Sequence, residues 1–259
     1  MAIRFPYRGW LFDLDGTVYL GEALIPGAAE AISALRAAGR RVGFLSNKPL
    51  QTRDDYAAKL ERLGVPATAD DVINSSLVLA RHLRALDPGA PVFVIGELPM
   101  LAEMAAHGFE VRDDEHVRWV VIAFDRTFTY AKLNTALQAV LRGARLIATN
   151  PDRTCPVEGG QIPDCAGMIA AVEAVTDTKV EMIVGKPSPI ILEVALAALG
   201  CSAHESVIVG DRIETDMVMG KRQGLATILV LSGVTRPGDP RIAALAPDHV
   251  LRSIRELIA

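Results

Sequence analysis

Two carboxylates two positions apart, Asp13 and Asp15, close the apolar run Trp10-Leu11-Phe12 and are followed by Gly16-Thr17. Side chains two apart on a strand face the same side, so one cation or one substrate can be shared between them. Such a pair can divide labour, one carboxylate attacking as a nucleophile while the other moves protons as general acid and base. Asp15-Gly16 also lets the backbone turn tightly toward a bound anion, although the dipeptide by itself equally fits an ordinary turn.

Three more polar signals sit just after apolar runs. Ser46-Asn47 follows Val42 to Leu45; its hydroxyl and neighbouring amides can hold a phosphoryl oxygen, and the same pair also suits a turn or helix cap. Gly185-Lys186-Pro187-Ser188-Pro189 follows Met182 to Val184 and places one ammonium in a stiffened loop, where it can neutralise a carboxylate and a transferring phosphoryl group together. No Gly-rich Walker spacing precedes that lysine, so this is not a P-loop. Gly210-Asp211-Arg212-Ile213-Glu214-Thr215-Asp216 follows Val207 to Val209: Asp211 is placed to bind a hard cation, and Asp216 stands at the start of the next helix, a site that also suits a cap. In open α/β sheets ligands bind beyond the carboxyl ends of strands, so four such signals in order are expected to converge.

The elements that must position them alternate regularly. Strand-like Trp10 to Phe12, helix-like Ala28 to Ala38, strand-like Val42 to Leu45 and helix-like Asp54 to Leu63 form the rhythm of right-handed βαβ units. The rhythm returns in Met182 to Val184, Pro189 to Leu199, Val207 to Val209, Asp216 to Gln223 and Thr227 to Leu231, with a last strand–helix pair in His249 to Ile258. The middle repeats it independently, with strands Val92 to Ile95, Trp119 to Ile122 and Leu146 to Ala148 and helices Leu98 to His107, Tyr130 to Leu141 and Ala166 to Val175. The fold class expected is α/β, a doubly wound parallel-sheet core over 1–86 and 181–259 with a smaller α/β domain inserted at 87–180.

Composition narrows the function. A chain of 259 residues with 50% hydrophobic and 22% charged residues supports one large or two modest globular domains. Its net charge of -4 offers no basic stripe, so nucleic acid is not an expected partner, while small anions remain compatible with local positive charge. The start, Met1-Ala2-Ile3-Arg4-Phe5-Pro6, lacks a signal-peptide pattern, and no apolar stretch approaches the roughly 20 residues of a membrane span. Cys155, Cys165 and Cys201 have neither zinc-site nor paired spacing, which fits free thiols and a cytoplasmic location. The five histidines lack metal-helix spacing and read as structural or solvated.

The four motifs, Asp13-x-Asp15-Gly16-Thr17, Ser46, Lys186 and Gly210-Asp211-x4-Asp216, resemble those of the haloacid dehalogenase-like (HAD) superfamily. The long insertion between the second and third resembles the NagD-like branch, which carries a large α/β cap; Thr149-Asn150-Pro151-Asp152 with Pro156 and Gly159-Gly160 adds to the likeness. Ser46-Asn47-Lys48 and Asp164-Cys165-Ala166-Gly167-Met168 look closest to sugar-phosphate phosphatases of sugar-utilisation operons, while Ala123-Phe124-Asp125 departs from the branch's usual Gly-x-Asp.

The resemblance implies a Mg²⁺-dependent phosphatase of small phosphorylated metabolites, sugar phosphates foremost, working through an aspartyl-phosphate. Asp13 would be the nucleophile and Asp15 the acid and base; Asp13, the Asp15 carbonyl and Asp211 would hold the metal; Ser46, Asn47 and Lys186 would hold the phosphoryl group, and Asp216 would orient Lys186 or a metal-bound water. Asp125, Arg126, Asn150 and Asp152, at the ends of cap strands, are the candidates for contacting the leaving group. A homodimer through the cap is the expected assembly. Rival expectations are a nucleotide or pyridoxal phosphate phosphatase, a phosphomutase or phosphotransferase sharing the aspartyl-phosphate, and a non-catalytic metabolite-binding protein on the same fold.

Overall fold

The computed structural model describes residues 3–157 and 159–258; Met1, Ala2, Glu158 and Ala259, which fall within the expected domain bounds, lie outside the described residues, as do the first two positions of the N-terminal reading. In chain order the strands are β1 (Gly9–Asp13), β2 (Tyr19–Leu20), β3 (Ala23–Leu24), β4 (Arg41–Ser46), β5 (Val72–Asn74), β6 (Pro91–Ile95), β7 (Glu110–Val111), β8 (Trp119–Ile122), β9 (Arg145–Ala148), β10 (Thr154–Val157), β11 (Gly160–Pro163), β12 (Met182–Ile183), β13 (Ser206–Gly210), β14 (Ala226–Val230) and β15 (His249–Leu251). The helices are α1 (Ala28–Ala37), α2 (Arg53–Arg62), α3 (Ser75–Leu86), α4 (Leu98–Ala106), α5 (Tyr130–Leu141), α6 (Cys165–Thr176), α7 (Pro189–Leu199), α8 (Val218–Gln223) and α9 (Pro240–Leu245). Among the described residues no helix is long and apolar enough to cross a membrane.

The chain divides into two compact units, the first comprising the described residues up to Ser46, Arg53–Ile73 and those from Lys186 onward. Its sheet runs β15-β14-β13-β1-β4-β5, with β1 parallel to β13 on one side and to β4 on the other. Strand order therefore progresses outward in opposite directions from the β13/β1 boundary, the switch point at which open α/β sheets leave a crevice beyond their carboxyl ends. All of β1 is buried, as expected for a parallel strand covered on both faces, and this is why it reads as a continuous apolar run. Trp10 and Phe12 join Ile32, Leu35, Phe44, Tyr56 and Leu60 in one core cluster. On the other face a Cβ at Gly43 would lie 3.3 Å from Leu199 and 3.4 Å from Leu11, so α7 packs closely where β4 has no side chain.

The second unit comprises Asn47–Thr52 and Asn74–Gly185. Its sheet has the order β12-β9-β8-β6-β7 with every pairing parallel. Phe93, Ile95, Val120, Ile122 and Leu146 meet Ala136 and Ala139 of α5 and Met168 and Val172 of α6 in its core. The antiparallel β10–β11 hairpin leads into α6, whose N-cap Asp164 accepts from the Cys165 amide.

Most elements expected from the sequence lie within two residues of the observed ones, but three features differ. Helix α3, which the sequence reading passed over, groups with the second unit, so the chain parts at Ile73/Asn74 rather than at Leu86/Asp87. Strand β12, expected in the catalytic core, instead pairs with β9 of the second unit's sheet; at two residues it is too short for composition to tell which sheet it joins. The expected helix from Asp216 begins as a π-helical turn, Ile213–Met217, before α8. Side-chain contacts hold α3 in place: Asn74 caps it by accepting from the Leu77 amide, and His82 Nε2 lies 3.2 Å from Met182 Sδ.

Gly167, exposed in the first turns of α6, has open space where a Cβ would sit. Gly167→Ala should therefore stabilise the protein by about 0.5–1 kcal/mol, through a less flexible unfolded chain and better helix propensity. Urea unfolding followed by circular dichroism measures this, and a loss of stability would mean that the site is not open.

Candidate active site

In the first unit, Asp13 is the last residue of β1, Ser46 the last of β4, and Asp211 follows β13, so parallel register brings all three to the same sheet end at the switch point. Lys186 enters this end from the segment before α7 and is buried with 3% exposure. Its Nζ donates to Asp13 Oδ1 and, at 2.7 Å, to Asp216 Oδ1. Burial alone would lower the lysine's pKa, but the two carboxylates outweigh it, so the ammonium is held above its ordinary value. Asp13 is pushed well above the usual carboxylate range by burial and by the charges of Asp216 and Asp211, against the opposing pull of Lys186.

Asp211 and Asp216 are fitted into their places by glycines. A Cβ at Gly210 would lie 2.4 Å from Asp216 Cγ, and one at Gly233 would lie 1.9 Å from Asp211 Oδ2. Gly16, at φ +91, presses on the same Asp211 oxygen, its Cβ position lying 2.5 Å away. That backbone conformation and that closeness both require glycine. Asp211 Oδ2 accepts from the Val234 amide, whereas its Oδ1 is buried without a hydrogen-bond partner. Asp216 Oδ2 accepts from the Arg212 amide at 3.2 Å.

One carboxylate oxygen from each of Asp13, Asp211 and Asp216 lies within 4.8 Å of the others. At an effective dielectric of about 20, two unit charges at such a separation repel by roughly 3–4 kcal/mol. Lys186 hydrogen-bonds two of the three but not Asp211, whose pKa is raised to about 7 by burial and then by the charge of Asp216, against the Val234 amide and the charges of Arg212 and Lys186. An all-oxygen donor set with an orphaned buried oxygen fits a hard divalent cation such as Mg²⁺.

The remaining expected residues have distinct settings. β1 ends at Asp13, so Asp15 lies beyond the strand, half-buried and held by a bridge to Tyr19; its side is set by this turn rather than by the strand pleat. The amides of Thr17, Val18 and Tyr19 all converge on Leu14 O, and Gly16 donates to Tyr19 O at 2.7 Å. Ser46 Oγ donates to the Tyr56 hydroxyl at 3.2 Å.

In the second unit, Asn47 Nδ2 donates to Asp152 Oδ2 at 2.9 Å, and Asn150 Nδ2 bridges Asp152 at 3.0 Å and Asp164 at 3.1 Å. A Cβ at Gly185 would meet Thr149 O at 2.5 Å and Asn47 Oδ1 at 2.7 Å, so these residues form one tightly packed polar network. Asn150 is wholly buried within it. Asp125 is also fully buried: Lys132 Nζ lies 2.5 Å from one oxygen, and Thr127 donates to the other through N and Oγ1. It pins the loop between β8 and α5. Arg126 remains over half exposed, with its guanidinium bidentate to Glu97 at 2.8 and 2.7 Å, and Asp152 remains half-buried.

Residues 10–110 match the haloacid dehalogenase-like hydrolase family, and residues 183–257 match a second pattern described as HAD-hydrolase-like. The chain is 42% identical over 250 residues to the sugar-phosphatase AraL of Bacillus subtilis (strain 168), covering 96% of this chain and 91% of that one. The chain belongs to the haloacid dehalogenase-like hydrolases. Its fold superposes with a TM-score of 0.92 on a p-nitrophenyl phosphatase from Archaeoglobus fulgidus, at 33% identity and covering 97% and 98% of the two chains. For NagD from E. coli K-12 the TM-score is 0.86 at 32% identity, with 97% and 98% covered. This HAD protein is a NagD-like phosphatase.

Tyr56, Gly233 and Val234 escaped the sequence reading. Gly233-Val234 follows an apolar run as the four motifs do, a signal that was available; Tyr56 lies on a helix whose contact with Ser46 no local pattern marks.

Gly233→Ala should cut this phosphatase's turnover at least 10²-fold by displacing the Asp211 carboxylate, while circular dichroism stays native. Undiminished kcat would show that Asp211 tolerates being moved. In chelator, folded Asp211 holds a proton between about pH 4 and pH 7 that the unfolded chain has released, so its contribution to stability falls as pH rises through that window. Asp211→Asn removes this fall; the stability of the variant relative to wild type should grow from pH 4.5 to 7.5 in urea titrations, and a constant difference would refute the assignment.

Proposed function

We propose that this HAD phosphatase hydrolyses small sugar phosphates through an aspartyl-phosphate formed on Asp13. The observation that carries the reading is the pairing of Lys186 with both Asp13 and Asp216 beside the orphaned oxygen of Asp211. A carboxylate able to attack, an ammonium able to neutralise charge and an oxygen open to a cation at one sheet end support the reading. The similarity to a relative described as a sugar-phosphatase supports the substrate class.

In the first half-reaction Asp13 attacks phosphorus in line and the leaving oxygen departs with a proton from Asp15. In the second, Asp15 takes a proton from water, which attacks the aspartyl-phosphate and frees phosphate. Lys186 neutralises charge on Asp13 and on the phosphoryl oxygens, and Asp216 fixes the position of the ammonium. With substrate bound, the Tyr56 hydroxyl donates to Ser46 Oγ, which frees the Ser46 proton for a phosphoryl oxygen, and Asn47, next in sequence, assists it. Asp13, Asp211 and the Asp15 carbonyl are the ligands assigned to Mg²⁺, with Asp216 beside them. When bound, the ion would offset repulsion between the nucleophile and a phosphate dianion. Three free cysteines suit a reducing cytoplasm as the place of action.

The test is phosphate release from a panel of sugar phosphates, glycerol phosphates, nucleotides and pyridoxal phosphate, with Mg²⁺ or with chelator. Release should require Mg²⁺, favour sugar phosphates and vanish in Asp13→Asn, whose melting temperature stays within a few degrees of wild type. Preferred cleavage of nucleotides would overturn the substrate class, and a chelator-resistant rate would overturn the metal.

A further inference from the structure

At the opposite end of the first unit's sheet, a cleft of about 550 Å³ is lined by four arginines, Arg8, Arg36, Arg40 and Arg41, and by one carboxylate, Asp71. Arg8 precedes β1 and Arg41 begins β4, joined by a 2.9 Å bond from the Arg41 amide to Arg8 O. Asp13 closes the other end of β1, about 13 Å away at roughly 3.3 Å per residue, so the cleft is separate from the catalytic carboxylates.

The cleft carries more positive charge than its surroundings use. Arg8 pairs with Glu205 at 3.3 Å and Arg36 with Asp71 at 3.7 Å. Among the described residues no carboxylate lies within 4.0 Å of Arg40 or Arg41, which leaves two guanidiniums in excess. At the end of α1 the carbonyls of Ala34, Leu35 and Arg36 accept from the amides of Ala38, Arg40 and Gly39, and at the end of α7 those of Leu196 and Ala197 accept from the amides of Cys201 and Gly200. Arg40 Nε is buried with no hydrogen-bond partner, a state disfavoured for a charged donor unless an anion or water supplies the acceptor.

We propose that this cleft is a second, non-catalytic anion site that binds the phosphate group of a small molecule. Guanidinium forks match phosphate oxygens in pairs and stay charged throughout the working pH range. The positive charge is local in a chain of net charge -4, which favours a compact dianion over an extended polyanion. Free phosphate and a phosphate monoester share this chemistry.

Calorimetric titration of the whole protein in chelator, at constant ionic strength, with inorganic phosphate in one arm and glycerol 2-phosphate in the other, tests the site. Wild type should bind in at least one arm, and Arg40→Gln/Arg41→Gln should weaken that binding at least tenfold. Tight binding of inorganic phosphate would name the released product as the ligand, whereas binding of the ester alone would name a phosphorylated metabolite. Arg41→Glu reverses charge at an exposed position and should lose the binding too, with melting temperature and p-nitrophenyl phosphate turnover unchanged, which guards against misfolding of the double variant. No binding in either arm, or equal affinity in wild type and variants, would overturn the proposal.

Discussion

The contact between the Lys186 ammonium and the carboxylates of Asp13 and Asp216 is the constraint around which the first unit is arranged. All three groups are buried, and a buried charge left without its partner is costly, so the lysine and its partners must arrive together or not at all. They come from three distant stretches of chain, brought together where strand order reverses between β13 and β1. One ammonium does not balance three acidic groups. The excess negative charge is concentrated at Asp211, where burial and then the charge of Asp216 raise the carboxyl pKa to about 7.

Backbone shape serves the same arrangement. Gly16, Gly210 and Gly233 each stand where a methyl group would strike an Asp carboxylate. Their absent side chains let the main chain close on Asp211 and Asp216, so that Asp211 is held by backbone and Asp216 by backbone together with Lys186. Rigid placement matters because electrostatic help to a reacting group falls away when the group is free to relax.

The second unit shows how the same residue types can serve structure. Asp125, Asn150 and Asp164 are buried polar residues that follow strands, much as Asp13 and Ser46 end them, and each makes hydrogen bonds to nearby polar groups or a helix cap of the second unit. Being polar at a strand end does not by itself make a site residue. Of the four cap candidates Arg126 and Asp152 keep partial exposure, whereas Asp125 and Asn150 are buried.

Much of the fold was legible because parallel strands buried on both faces are apolar throughout, and because helices such as α5 and α7 carry their own caps in Thr129 and Ser188. Asp13, Lys186 and Asp211 could be picked out since each directly follows or adjoins such a run. Membership of β12 and α3 was not legible: two apolar residues, or one amphipathic helix, suit either sheet until distant partners such as β9 and Met182 are in place. The sequence by itself determined the α/β rhythm, the family and the identities of the acidic and basic groups at strand ends. Only the tertiary structure decided which carboxylates share Lys186, which oxygen stays unpartnered and which polar residues are sealed in the interior, because charge pairing and burial depend on through-space distances between segments that local chain chemistry does not encode.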